Sequence, residues 1–177
     1  MLKIKKRTGM EYLTYTVIIA LGIILDQLTK WLAVKFLAPI DTQPIIKNVL
    51  HLTYVENDGA AFGMLDDKRI LFMIPSTVMI IGMLIYLYLG YAENRLYAAS
   101  VAAIVSGGIG NMIDRIALGY VVDFIDFRLI NFAVFNGADS FVCVGAGFLM
   151  LALIRDFIKE VKTARKKAEN GDKSDDI

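Results

Sequence analysis

GNMIDRIALGYVVDFIDF, residues 110–127, follows a long apolar run and sets three carboxylates, Asp114, Asp123 and Asp126, close to Asn111 and Arg115. This is where a membrane helix should be ending. Ionisable side chains are costly in hydrocarbon, about 2.5–3.5 kcal/mol each at a helix centre on insertion scales, so each asks for a partner or a role. How the stretch is read depends on whether the surrounding chain is built for a bilayer.

The composition says that it is. Of 177 residues 56% are hydrophobic and only 3 are prolines, and the mean hydropathy of +0.56 is too high for an ordinary soluble domain. Four segments reach the roughly 20 mostly apolar residues that a bilayer requires, at 12–37, 70–89, 96–116 and 133–154. The basic start MLKIKKR followed by an apolar run has the look of a cleavable signal peptide. The continuation DQLTKWLAVKFL offers no small-residue cleavage site, so the segment reads as a retained helix. The expected fold is a membrane all-α, four-transmembrane-helix bundle in one domain over 1–160, with a polar, disordered tail over 161–177.

Basic residues set the orientation. Lys3, Lys5, Lys6 and Arg7 precede the first span, and Lys159, Lys162, Arg165, Lys166 and Lys167 follow the last. Both termini are expected in the cytoplasm, with 38–69 and 117–132 facing outward. NVLHLTYVEN within the first outer segment is rich in β-branched and aromatic residues and runs into the turn-like NDG, so a small sheet is expected there, with YVVDFIDFRLINFAVF able to add strands. The formal charge of +1 argues against a nucleic-acid partner. The one cysteine, Cys143, cannot form an internal disulfide, and its apolar setting reads as a buried small side chain.

Within the spans, Asp26 and Lys30 share a face of the first helix, either as an ion pair that makes the span insertable or as support for a nearby site. Asn111, Asp114 and Arg115 share a face of the third helix directly after SGGIG, whose glycines admit close helix packing. Asp114 has Arg115 as an obvious counter-charge. Asn136 and Asp139 share a face of the fourth helix, and neither Asp139 nor Asp123 has a basic neighbour close in sequence; Asp126, nearer Arg128, reads as a solvated edge residue.

Asp123 and Asp139 flank one short connection at the same outer depth, so their carboxyls can meet. Two carboxyls within about 3 Å cannot both ionise, and sharing one proton supplies an acid and a base that activate water against an amide. Read as isolated residues, the two are better explained as groups that cap or hydrogen-bond backbone at helix ends. Other chemistry is weak: His51 is the lone histidine, Lys30 is paired, and there is no metal-ligand spacing, P-loop or dinucleotide motif. In YVENDGAAFGML, Asn57 with the open backbone at Gly59 suits an extended peptide, and a plain turn into a surface helix explains it almost as well. A proton-relaying transporter and a non-catalytic lipopeptide scaffold are the rival classes; the first is disfavoured by the lack of an inverted repeat.

Four separated motifs in order, DQLTKWLA, VENDGAAFGML, GGIGNMIDRIALGYVVDFIDF and FNGADSF, make the chain from Leu21 to about Leu153 resemble the lipoprotein signal peptidases, the membrane aspartyl proteases also called signal peptidase II. The resemblance implies four helices with cytoplasmic termini, an extracytoplasmic β-cradle and a short surface helix. It implies a catalytic dyad at Asp123 and Asp139, with Asp26, Lys30, Asn57, Asn111, Arg115 and Asn136 shaping the site. The implied activity is cleavage of lipid-modified prolipoproteins before the lipidated cysteine, without cofactor or metal, by a monomer in the bacterial cytoplasmic membrane. The partners are then the substrate and membrane lipid.

Overall fold

The computed structural model describes residues 7–59, 69–92 and 94–172. In chain order these form α1 (Gly9–Phe36), β1 (Thr42–Ile46), β2 (Leu50–Asn57), α2 (Arg69–Tyr88), α3 (Arg95–Ala117), β3 (Val121–Asp126), a 3-10 turn at Arg128–Ile130, and α4 (Gly137–Asp172). Among the described residues three helices are long and apolar enough to cross a membrane: α1, α3 and Gly137–Arg165 of α4. The surface helix expected after Gly59 falls on 60–68, outside the described residues.

Caps in the sequence fix where the helices start. The Thr8 hydroxyl accepts from the Glu11 amide while the Glu11 carboxylate accepts from the Thr8 amide, a reciprocal capping box. The Asn94 side chain accepts from the Tyr97 amide at 3.0 Å and opens α3. The fourth span was expected from 133, but Phe135 bridges to Ile125 and extends the sheet region. The helix begins only at Gly137, where Asn136 and Asp139 cap each other. At its far end α4 runs on to Asp172 instead of fraying at 161. Residues 159–169 are mostly Lys, Glu, Ala and Arg, strong helix formers that carry the helix past the apolar segment.

α3 is the central helix, packed against α1, α2 and α4. Small residues make this possible. A Cβ on Gly107 would strike the Ala138 backbone carbonyl, one on Gly22 would strike Ser106, and one on Gly145 would strike the Ser100 carbonyl. The core between the helices holds Tyr15, Leu87, Tyr97, Val101 and Val105. Leu21, Ile24, Leu25 and Leu28 of α1 and Val144, Phe148 and Leu151 of α4 are exposed. For a chain solvated by lipid, those faces are already in their preferred solvent.

The three strands form one antiparallel sheet in the order β1-β2-β3. Pro44, lacking an N–H, is tolerated because β1 is an edge strand. Ala33 and Leu37 at the end of α1 pack with Val122, Leu52, Tyr54, Tyr120 and Phe124, which fastens the sheet to the bundle. The β2–β3 register shifts between Leu52 and Val55, so that Asp123 lies opposite Val55 and Asp126 opposite His51. Such a bulge re-aims side chains on either side of it.

Gly107→Ala should lower stability by about 1–3 kcal/mol by wedging α3 from α4. Gly147→Ala, with nothing within 4 Å of its added methyl, should not lower it and should raise it by up to about 1 kcal/mol through helix propensity. Thermal unfolding in detergent measures both.

Candidate active site

A buried lysine organises the sheet end of the bundle. The Lys30 ammonium, 4% exposed at its side chain, lies 2.9 Å from Asp26 Oδ2 and 2.9 Å from Asp114 Oδ2, and donates to Asn111 Oδ1 at 2.8 Å. Three protons meet three acceptors. The carboxylates are held elsewhere too: Asp26 Oδ1 accepts from the Ala138 amide at 2.8 Å, and Asp114 accepts from Gln27 Nε2 at 2.8 Å and from the Val122 amide at 3.2 Å. The expected Asp114–Arg115 pair is therefore replaced by Asp114–Lys30. Neighbours in a helix point to different sides, and Lys30 on the facing helix lies where Asp114 points.

From Lys30 the order passes outward through amides. Asn111 Oδ1 is occupied by Lys30 and by Asn136 Nδ2, so Asn111 Nδ2 is turned to donate to Asp139 Oδ1 at 2.8 Å. Asn136 Nδ2 donates to Asp123 Oδ1 at 2.7 Å, and Asn57 Nδ2 donates to Asp123 Oδ2 at 2.9 Å. Asp139 Oδ2 accepts from the Asn136 amide, while Asn136 Oδ1 accepts from the Asp139 amide. Asp139 is thus both a helix cap and a neighbour of Asp123 in one network. Asn57 Oδ1 in turn accepts from the Gly59 amide at 3.1 Å.

Both aspartates line a cavity of about 480 Å³ with Asn57, Gly59, Asn111, Arg115 and Ser140 at its polar end. Phe127, Ile130, Phe132 and Phe135 form an apolar wall. The two carboxyls are not equivalent: Asp123 is buried and Asp139 half-buried. Burial is the main cause that pushes the Asp123 carboxyl up from 3.8 to about 6; the nearby Asp139 charge adds to it, and the Asn57 and Asn136 hydrogen bonds oppose it. Arg115 lies in the field of Asp139, Asp123 and Asp114 and is the cationic side chain of the cavity lining.

Of the residues singled out in the sequence, Asp123, Asp139, Asn57, Gly59, Asn111 and Arg115 line the cavity; Asn136, Asp26 and Lys30 sit behind it. Two further expectations are corrected. Cys143 is exposed and lines the cavity, because it lies one turn beyond Asp139 on the same face of α4. Asp126 is 8% exposed rather than solvated, bonded to Arg128 and to the Thr53 hydroxyl. Gln27, which holds Asp114, was missed; its signal is its place between Asp26 and Lys30 in the sequence.

The described chain thus combines apolar helices long enough to cross a membrane with a polar, carboxylate-lined cavity at one end. The family model described as signal peptidase (SPase) II matches residues 18–155. The chain belongs to that family of peptidases. It is 56% identical to the lipoprotein signal peptidase of Caldanaerobacter subterraneus subsp. tengcongensis over 76% of this chain and 94% of the relative. The lipoprotein signal peptidase of Clostridioides difficile is 46% identical, over 79% and 94%. A solved bacterial membrane enzyme, determined by the in meso method at 1.9 Å, superposes with a TM-score of 0.71 at 30% identity, covering 81% of this chain and 94% of that one.

Two outcomes follow from the geometry. Lys30→Met leaves two buried carboxylates without their cation and should cost about 3–5 kcal/mol, whereas Arg115→Gln should leave the unfolding temperature close to wild type. A bulky maleimide should alkylate Cys143, the sole cysteine, and stop turnover by filling the cavity. Cys143→Ser should keep turnover under the same treatment.

Proposed function

We propose that this chain is an aspartic endopeptidase that removes the signal peptide from diacylglyceryl-modified prolipoproteins, cutting before the lipidated cysteine. Removal of signal peptides from prolipoproteins is supported by family membership and by the names of its relatives. The aspartic chemistry is supported by one observation: Asp123 and Asp139, neither with a basic neighbour close in sequence, line one cavity and are oriented by Asn57, Asn111 and Asn136.

In this mechanism one carboxyl holds a proton and polarises the scissile carbonyl, while the other, ionised, removes a proton from water. The hydroxide adds to the carbonyl carbon, and the tetrahedral intermediate collapses as the amine leaves with a proton returned from the dyad. The proton belongs to the pair, and the microscopic states interconvert. Burial raises the Asp123 carboxyl to about 6, so Asp123 can hold a proton up to about that pH. Arg115 and Asn57, at the polar end, bind the substrate main chain, and the open backbone at Gly59 accommodates it. In the bilayer, α2 serves as a fourth span beside the other three, both termini are cytoplasmic, and the sheet lies on the extracytoplasmic side as a cradle. The protein works as a monomer in the bacterial cytoplasmic membrane, needs no metal or cofactor, and draws its substrate laterally from lipid.

Asp123→Asn and Asp139→Asn, each checked for folding in detergent, should reduce cleavage of a diacylglyceryl-modified prolipoprotein by at least about 10³-fold, the scale set by losing a required acid or base. Asp126→Asn should retain turnover. Cleavage by either of the first two variants at wild-type rate excludes the dyad. The pH dependence has a definite sign. Above about 6 Asp123 loses its proton, so kcat/KM should fall as pH rises through that value. At the acid end, protonation of the base removes activity, giving a bell. Native protein binds the Asp123 proton more tightly than the unfolded chain does, so this group's contribution to stability is greatest below 3.8 and is lost as pH rises to about 6.

A further inference from the structure

Arg128 lies outside the carboxylate network yet touches all three strands. Its Nε donates to Asp126 Oδ2 of β3 at 2.8 Å. Its Nη2 donates to the Thr42 hydroxyl of β1 at 3.2 Å and to the Thr53 hydroxyl of β2 at 3.3 Å. Those acceptors are themselves joined, the Thr53 hydroxyl donating to Asp126 Oδ2 at 2.7 Å and the two threonine hydroxyls lying 2.9 Å apart. Burial alone would raise the Asp126 carboxyl, but hydrogen bonds from Arg128 and Thr53, with the Arg128 and His51 charges, bring it below the ordinary carboxylate value.

What this guanidinium holds is the cavity's apolar wall. Arg128 opens the 3-10 turn inside the connection 127–135, which supplies Phe127, Ile130, Phe132, Ala133, Val134 and Phe135 to the cavity. The two ends of the connection are tied to each other, with Phe135 O accepting from the Phe124 and Ile125 amides and Phe127 O accepting from the Phe132 amide. Its tip is not packed: Leu129 is 69% exposed and Ile130 67%. Apart from one long backbone bond, Leu129 amide to Val49 carbonyl at 3.4 Å, the attachment of the tip to the sheet among the described residues is the Arg128 side chain.

We propose that Arg128 is a positioning residue that clamps the connection 127–135 as a fixed wall for the apolar part of the substrate beside the scissile bond. The inference rests on the proteolytic reading of the cavity. Asp123 and Asp139 are held by Asn57, Asn111 and Asn136, none of which touches Arg128. Loosening the clamp should therefore weaken substrate binding and spare the chemical step, raising KM with kcat unchanged.

The test compares full-length wild type, Arg128→Gln, Arg128→Lys and the double variant Asp126→Asn/Arg128→Gln on a diacylglyceryl-modified prolipoprotein in detergent, with Asp139→Asn alongside. The double variant matters because Arg128→Gln alone strands a buried carboxylate, whereas removing both charges leaves none unpaired. The expected result is a KM raised about tenfold in the double variant, with kcat within about twofold of wild type. A wild-type KM, or a loss confined to kcat, overturns the clamp. Cleavage by Asp139→Asn overturns the aspartyl dyad, and no cleavage by wild type overturns the proteolytic reading, so these failures are distinguishable from failure of the clamp.

Discussion

Where the three protons of the Lys30 ammonium go decides the rest of the sheet end. Two are drawn to carboxylates on different helices, Asp26 and Asp114, and the third goes to the Asn111 amide oxygen. An ammonium buried without such acceptors would shed its proton, and carboxylates buried without it would do the reverse. Together they make a polar plug that joins α1 to α3, and through the Ala138 and Val122 amides it also fixes the start of α4 and of β3. An amide whose oxygen is committed has only one way to present its nitrogen. The orientation of Asn111, and hence the hydrogen bond received by Asp139, is set from behind by a residue that never reaches the cavity.

The glycines and the bulge act on this plug from two sides. Gly107 and Gly110 let α4 and the Asp26 carboxylate approach α3 more closely than any side chain would allow. The irregular register in β2 lets Asn57 and Asp123 lie side by side while Asp126, at the end of the same strand, joins a separate cluster with Arg128 and Thr53. Two carboxylates three residues apart in sequence thus serve different structures. One is left with only neutral amide donors, which allows it to keep a proton; the other receives a guanidinium.

Sequence reading recovered parts governed by period and length: the apolar helices α1, α3 and α4, and β2 and β3; the structure brings Asp123 and Asp139 to one cavity. It failed where the partner was distant in sequence. Arg115 sits next to Asp114 in the chain, yet a helix turns adjacent residues apart, and nothing local pointed to Lys30. It failed again where lipid inverts the usual meaning of an apolar neighbourhood. Cys143 was read as interior because its neighbours are hydrophobic, whereas on α4 hydrophobic residues face outward and the cysteine looks into the cavity. β1 was not singled out in the sequence; its Pro44 is tolerated because the strand lies at the sheet edge.

The plug also has an order of assembly. Synthesis delivers α1 first, when Asp26 and Lys30 have only each other, one helical turn apart. Asp114 and Asn111 arrive with α3, and the Ala138 amide that completes Asp26 arrives only with α4. The same late helix carries Asn136 and Asp139. A partly synthesised chain therefore holds an ion pair in its first helix with acceptors still unfilled. The insertion of the last helix supplies the Ala138 amide to Asp26 and brings Asp139 to the cavity, so one step completes the plug and the cavity lining together.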